Sequence, residues 1–296
     1  MADALSWDVE GRDWPNREAS RFVEAGGLRW HVQVTGAGPV VLLVHGTGAA
    51  THSWRGLVPL LAERFTVVAP DLPGHGFTQA PPPRLLTLPG MAEGLGALLR
   101  TLGVEPAVAA GHSAGAAVAI RMSLDGLIAP RLIVSLNGAL LPMRGFAGQL
   151  FSPLARLFAG GTLVPRIFAK HAARPGVVER LLRDTGSALD PAGVELYARL
   201  VRRPAHVAAA LGMMASWDLG PLARDLPRLQ SRLVLVAGRR DGTVPPAEAR
   251  RVKALLPAAE IAYLPRAGHL AHEERPEEVA ALIETRAREA GVLPAA

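Results

Sequence analysis

Cysteine is absent from the sequence, which excludes disulfides, a zinc–thiolate site and a cysteine nucleophile. Lysine is nearly absent. Lys170 and Lys253 are the only two, so arginine supplies almost all of the 32 basic residues. Neither lysine follows a glycine, so no P-loop exists, and GTGAAT fails the glycine pattern of a dinucleotide turn. Aromatic residues amount to 5% of the chain, and no recognition motif accompanies its +6 net charge, so nucleic acid is not an expected partner. Uncharged runs such as residues 132–143 fall short of the roughly 18 residues that a membrane-spanning helix needs. The opening MADALSWDVEGRDW carries acids and no long apolar segment. No secretory signal is therefore expected, and the expected location is cytoplasmic.

What is present is a repeating alternation. RFVEAGGLRWHVQVTGAG reads as two short strands around Gly26-Gly27. PVVLLV, FTVVAP, AVAA, RLIVSL, RLVLVAG and EIAYL are short apolar runs, as expected of strands buried on both faces. Between them, residues 53–63, 91–102, 114–127, 247–256 and 276–290 have helical spacing. Such alternation predicts an α/β fold with a mostly parallel sheet and helices on both faces. From Gly138 to about Leu219 no buried-strand run occurs and the text reads as helical. This predicts a helical cap inserted after the sixth strand. The expected organisation is an N-terminal extension (1–20), a core (21–138 and 219–292) and a cap (139–218).

The pentapeptide Gly111-His112-Ser113-Ala114-Gly115 is a weak signal by itself in a chain with 31 glycines. Its setting makes it informative. Ser113 follows a strand and opens a helix, the strand–turn–helix geometry that lifts a serine hydroxyl above a sheet as a nucleophile. A serine needs a base, and the base an orienting acid. His269, in PRAGHLAHEE, follows the last strand, and Asp241, in AGRRDGTVP, follows the strand before it. The order Ser113, Asp241, His269 is the one expected when the serine sits on such a strand–turn–helix. An Asx turn before Gly242 is the competing reading for Asp241. The residue after RLIVSL is Asn137, not an acid, which favours Asp241 as the acid. The oxyanion donors are expected to be the backbone N–H groups of Ala114 and of Thr47 in HGTG. His45 and His112 read as packing residues and Asp71 as a turn residue. HLAHEE lacks the H-E-x-x-H spacing, so neither a metal nor another cofactor is expected.

With these residues in place, the chain resembles the α/β-hydrolase superfamily over residues 21–290. DLPGHGFT and GHLAHEERP resemble that superfamily's signatures too. More specifically, WDVEGRDWPNREASRFV, HGTGAATHSWR, GHSAGAAVAIRMSLDG, LNGALLP, TGSALD and MMASWDL resemble the BchO-type magnesium chelatase accessory proteins of bacteriochlorophyll biosynthesis. The resemblance implies a role around magnesium insertion into protoporphyrin IX, beside a separate ATP-driven chelatase, and carries the triad roles over to Ser113, Asp241 and His269. Two activities are open at this point: a serine hydrolase acting on an apolar or anionic ester-type substrate, or a tetrapyrrole-binding or delivery protein on a hydrolase scaffold. A carboxylesterase unrelated to pigment synthesis is the generic alternative.

The charge is uneven. Residues 144–203 hold ten basic and four acidic residues, an excess equal to the whole net charge. There Phe and Leu interleave with Arg156, Arg166, Lys170 and Arg174. The expectation is a basic, apolar cap surface over the active site. It would take either a flat ligand with carboxylates, such as a porphyrin, or anionic lipid at the inner membrane surface.

Overall fold

The computed structural model describes residues 3–142, 161 and 163–295. Among these residues eight strands form one sheet: β1 (Ser20–Ala25), β2 (Leu28–Thr35), β3 (Val40–Val44), β4 (Thr66–Pro70), β5 (Val108–His112), β6 (Leu132–Leu136), β7 (Arg232–Gly238) and β8 (Glu260–Leu264). Their order is β1-β2-β4-β3-β5-β6-β7-β8. β2 runs antiparallel to both neighbours, and all other pairs are parallel.

The apolar runs become central strands because each faces a core on both sides. In β3, Leu42 and Val44 join one core with Leu95, Leu98 and Ala117, whereas Val41 and Leu43 join the other with Leu57, Val279 and Ile283. The first core is closed by helices Leu88–Leu102 and Ala114–Leu124, the second by Leu57–Ala62 and Pro276–Glu289.

Two helix expectations are corrected. Residues 53–63 are not one helix but a 3-10 turn, Thr51–Trp54, followed by helix Leu57–Ala62. The carboxylate of Asp71 accepts the Thr51 N–H at 2.6 Å and so ties the first turn to a separate anchor. The helix opened by Ser113 ends at Leu124 rather than at residue 127, where Asp125 and a left-handed Gly126 (φ 70°) turn the chain.

Between β6 and β7 the described residues form helices Leu163–Ala172, Val177–Asp184, Pro191–Val201, Pro204–Ala215 and Gly220–Asp225, with no strand. The N-terminal residues are packed rather than loose. Trp14 is buried beside Ala50, Phe77, Leu196 and Leu200, and its indole N–H donates to Thr51 Oγ1 at 2.9 Å. These residues therefore wedge between the sheet loops and the helices of the insert.

Candidate active site

Thr47, Ser113, Asn137, Asp241 and His269 each stand in the segment just after a parallel strand: β3, β5, β6, β7 and β8. Parallel strands end at the same edge, so these segments converge there whatever their distance in sequence.

Ser113 adopts φ 51° and ψ −118°, a conformation costly for any residue with a Cβ. Two glycines make the sharp turn possible. A Cβ at Gly115 would lie 2.0 Å from the carbonyl oxygen of Val44, and one at Gly111 would lie 2.5 Å from the backbone of Ala116. The hydroxyl of Ser113 opens into a cavity of about 470 Å³ that is also lined by His269, Thr47 and Ala114. Among the described residues, Ser113 Oγ makes no hydrogen bond. Neither Thr47 N–H nor Ala114 N–H is used by another protein group there. Helix Ala114–Leu124 starts at this point, so its positive end faces the same space.

Asp241 makes a turn of its own and also reaches an imidazole. Its Oδ1 accepts the N–H groups of Thr243 and Val244 at 2.7 and 2.8 Å, the expected Asx-type turn. Its Oδ2 lies 2.9 Å from His269 Nδ1 and accepts from it, which favours the tautomer with the proton on Nδ1. Asn137, a left-handed residue (φ 49°), donates from Nδ2 to that same Oδ2 at 2.7 Å and to Gly268 O at 3.2 Å.

His269 is held through its backbone as well. His112 donates from Nε2 to His269 O at 3.0 Å. Burial, reinforced by neighbouring His272 and His269, keeps the His112 imidazole well below its usual range and therefore neutral. His45 is likewise structural: Leu72 N–H donates to its Nε2, and its Nδ1 donates to Gly46 O. Asp71, fully buried, accepts from Thr51 and Phe77 and pairs with His31 at 2.7 Å.

Sequence reasoning missed the contribution of the insert. Thr185 O accepts the N–H groups of both Gly242 and His269, and Ser187 Oγ accepts the N–H of Leu270. The segment between helices Val177–Asp184 and Pro191–Val201 thus braces the Asp241 loop and the His269 loop together. Gly186 passes so close that a Cβ would lie 1.8 Å from Arg240 O. The only sequence signal was TGSALD, whose glycine marks a tight approach without naming its partner.

The members of HLAHEE diverge. His272 Nε2 meets Ser53 Oγ, Glu273 pairs with Arg55, and Glu274 accepts Gly268 N–H. Among the described residues, no three His, Cys, Asp or Glu side chains are grouped to hold a metal ion. Of the basic insert residues, Arg166, Lys170 and Arg174 are exposed and do not line the cavity, and Arg156 lies outside the described residues. Leu182, Met214, Trp217 and Leu219 form apolar wall instead, with Asp218 beside them. No described helix is long and apolar enough to cross a membrane.

Residues 41–282 match the alpha/beta hydrolase family. The chain belongs to that family. This α/β-hydrolase is 40% identical to the magnesium-chelatase 30 kDa subunit of Rhodobacter capsulatus, over 88% of its own length and 92% of the relative's. It is similar to a thermophilic esterase from Thermogutta terrifontis, with 26% identity and a TM-score of 0.71 over 92% of this chain and 98% of that one. An alpha/beta hydrolase fold protein from Burkholderia ambifaria superposes with a TM-score of 0.76 at 24% identity, covering 90% of this chain and 98% of that one, a likeness of fold.

Proposed function

We propose that this α/β-hydrolase is a serine hydrolase acting on an apolar ester-type substrate, in the service of magnesium insertion into a tetrapyrrole. The observation that carries the chemistry is that Ser113, strained at the strand end, and His269, oriented by Asp241, open into one cavity. Ser113 Oγ attacks the substrate carbonyl while His269 Nε2 takes its proton, and Asp241 stabilises the imidazolium. The tetrahedral oxyanion is received by the N–H groups of Thr47 and Ala114. His269 then returns the proton to the leaving group, and water, activated by the same imidazole, releases the acid. Apolar walls and the absence of Arg and Lys among the described lining residues favour an apolar over an anionic substrate. The link to magnesium insertion rests on the 40% identity to a protein named as a magnesium-chelatase subunit.

A second reading, a tetrapyrrole-binding protein on a hydrolase scaffold, is favoured by that name and by the unpaired Ser113 hydroxyl. Catalytic hydrogen bonds often tighten only with substrate bound, so the unpaired hydroxyl does not weigh against catalysis. Reaction of the purified protein with a fluorophosphonate separates the two. Stoichiometric labelling that disappears in Ser113→Ala and His269→Ala supports the hydrolase. An unreactive wild type that binds protoporphyrin IX supports the carrier.

A further inference from the structure

Helix Leu163–Ala172 is built the wrong way round for a helix whose outer face meets only water. Its buried positions are Pro165, Ala169 and Ala172, whereas Leu163 is 68% and Ile167 59% exposed, with Phe168 also on the surface. Large apolar side chains normally take the packed face, so a cluster of them turned outward is informative. Leu181, on the following helix Val177–Asp184, is exposed as well.

Cations are interleaved with these residues. Arg166 pairs weakly with Asp3 at 3.1 Å, both well exposed. Lys170, Arg174 and Arg180 have no carboxylate partner among the described residues. The helix packs on Pro204–Ala215, where Met214 is both exposed and part of the cavity wall.

We propose that the outer face of helices Leu163–Ala172 and Val177–Asp184 docks on an anionic lipid surface. Leucine, isoleucine and phenylalanine interleaved with exposed cations on a short helix match the composition of helices that lie in a bilayer interface. The apolar side chains enter the acyl boundary singly, and the cations meet the headgroups. An acidic protein would need the charges but would leave Leu163 and Ile167 without a role unless it supplied a matching apolar groove. This proposal is independent of the hydrolase reading.

The test is co-sedimentation of the full chain with vesicles of phosphatidylglycerol and phosphatidylcholine, and with pure phosphatidylcholine, at low and high salt. Binding is expected to the anionic vesicles, weaker at high salt and absent with phosphatidylcholine. Lys170→Glu should weaken it by about fivefold or more. Ile167→Glu should weaken it comparably with an unchanged circular dichroism spectrum, because the side chain is exposed. Lys253→Glu, on helix Ala247–Leu255 outside the insert, should bind as wild type does. No binding to anionic vesicles at low salt, equal binding to phosphatidylcholine, or equal loss in Lys253→Glu would overturn the proposal. Capture by polyglutamate without capture by vesicles would reassign the face to an acidic protein and likewise overturn it.

Discussion

Asn137 and Asp241 share one hydrogen bond, Nδ2 to Oδ2 at 2.7 Å, on the oxygen that also faces His269 Nδ1. The segment after β6 therefore supplies a donor to the acid carried after β7. Held from opposite sides by Thr243, Val244 and Asn137, the carboxylate has little freedom to turn away from the imidazole.

Removing that donor should impair turnover rather than binding. A hydrogen bond to a charged group is worth roughly 1.5–3 kcal/mol, so Asn137→Ala should lower kcat for a short p-nitrophenyl ester by about tenfold or more. KM should stay near the wild-type value, because Asn137 does not line the cavity. Steady-state kinetics checks this, and a raised KM with normal kcat would remove Asn137 from the positioning of Asp241.

Loss of the acid itself should be far more severe. Asp241→Asn leaves His269 without the partner that selects its tautomer, and a fall of up to about 10⁴ in kcat is expected. An Asp241→Asn enzyme of near-normal kcat would mean that Asp241 serves only its turn.

Thr47 tests which atom serves the oxyanion. Its Oγ1 donates to Met213 Sδ at 3.3 Å, a weak contact that leaves the backbone N–H to the substrate. Thr47→Ala should therefore keep most activity, whereas removal of a true oxyanion donor costs about 10²–10³ in rate. A loss of that size would make the hydroxyl the donor.

Gly186 couples the insert to the loops that carry Asp241 and His269. Its φ of 81° and the 1.8 Å approach to Arg240 O leave no room for a methyl group. Gly186→Ala should cost about 2 kcal/mol or more and lower kcat along with thermal stability, because the same segment receives His269 N–H and Gly242 N–H. Full activity with unchanged melting temperature would refute the bracing role.

Acid should destabilise the fold earlier than carboxylate protonation alone would. His45, His52, His75, His112, His206 and His272 are all buried, and burial holds each below the usual imidazole value, His206 at about 4. Their unfolded counterparts bind protons below about pH 6.5, so the unfolded chain gains protons that the folded chain refuses. Stability is thus complete above that pH and falls as pH drops towards the folded values. Melting temperature should decline from about pH 7 to about pH 5. His52, with neither ring nitrogen partnered among the described residues, should contribute, so His52→Phe should flatten the slope. A flat profile in the wild type would contradict this account.

The sequence by itself determined the strands, the strand–turn–helix at Ser113 and the loops that carry Thr47, Asp241 and His269. Each of those depends on local rules: an apolar run needs two cores, a turn between packed elements needs glycine, and parallel strands end at one edge. Even Asp241's Asx turn was legible, since its partners are Thr243 and Val244. Tertiary structure alone decided the rest. Asn137 lies 104 residues from Asp241, and Ser187 lies 83 residues from Leu270; no periodicity in a single chain encodes which distant polar group will fill a given lone pair. The insert's cations were visible as composition, but their direction was not. Packing put small Pro165, Ala169 and Ala172 inward, which turned Arg166 and Lys170 away from the cavity and left its described wall without Arg or Lys.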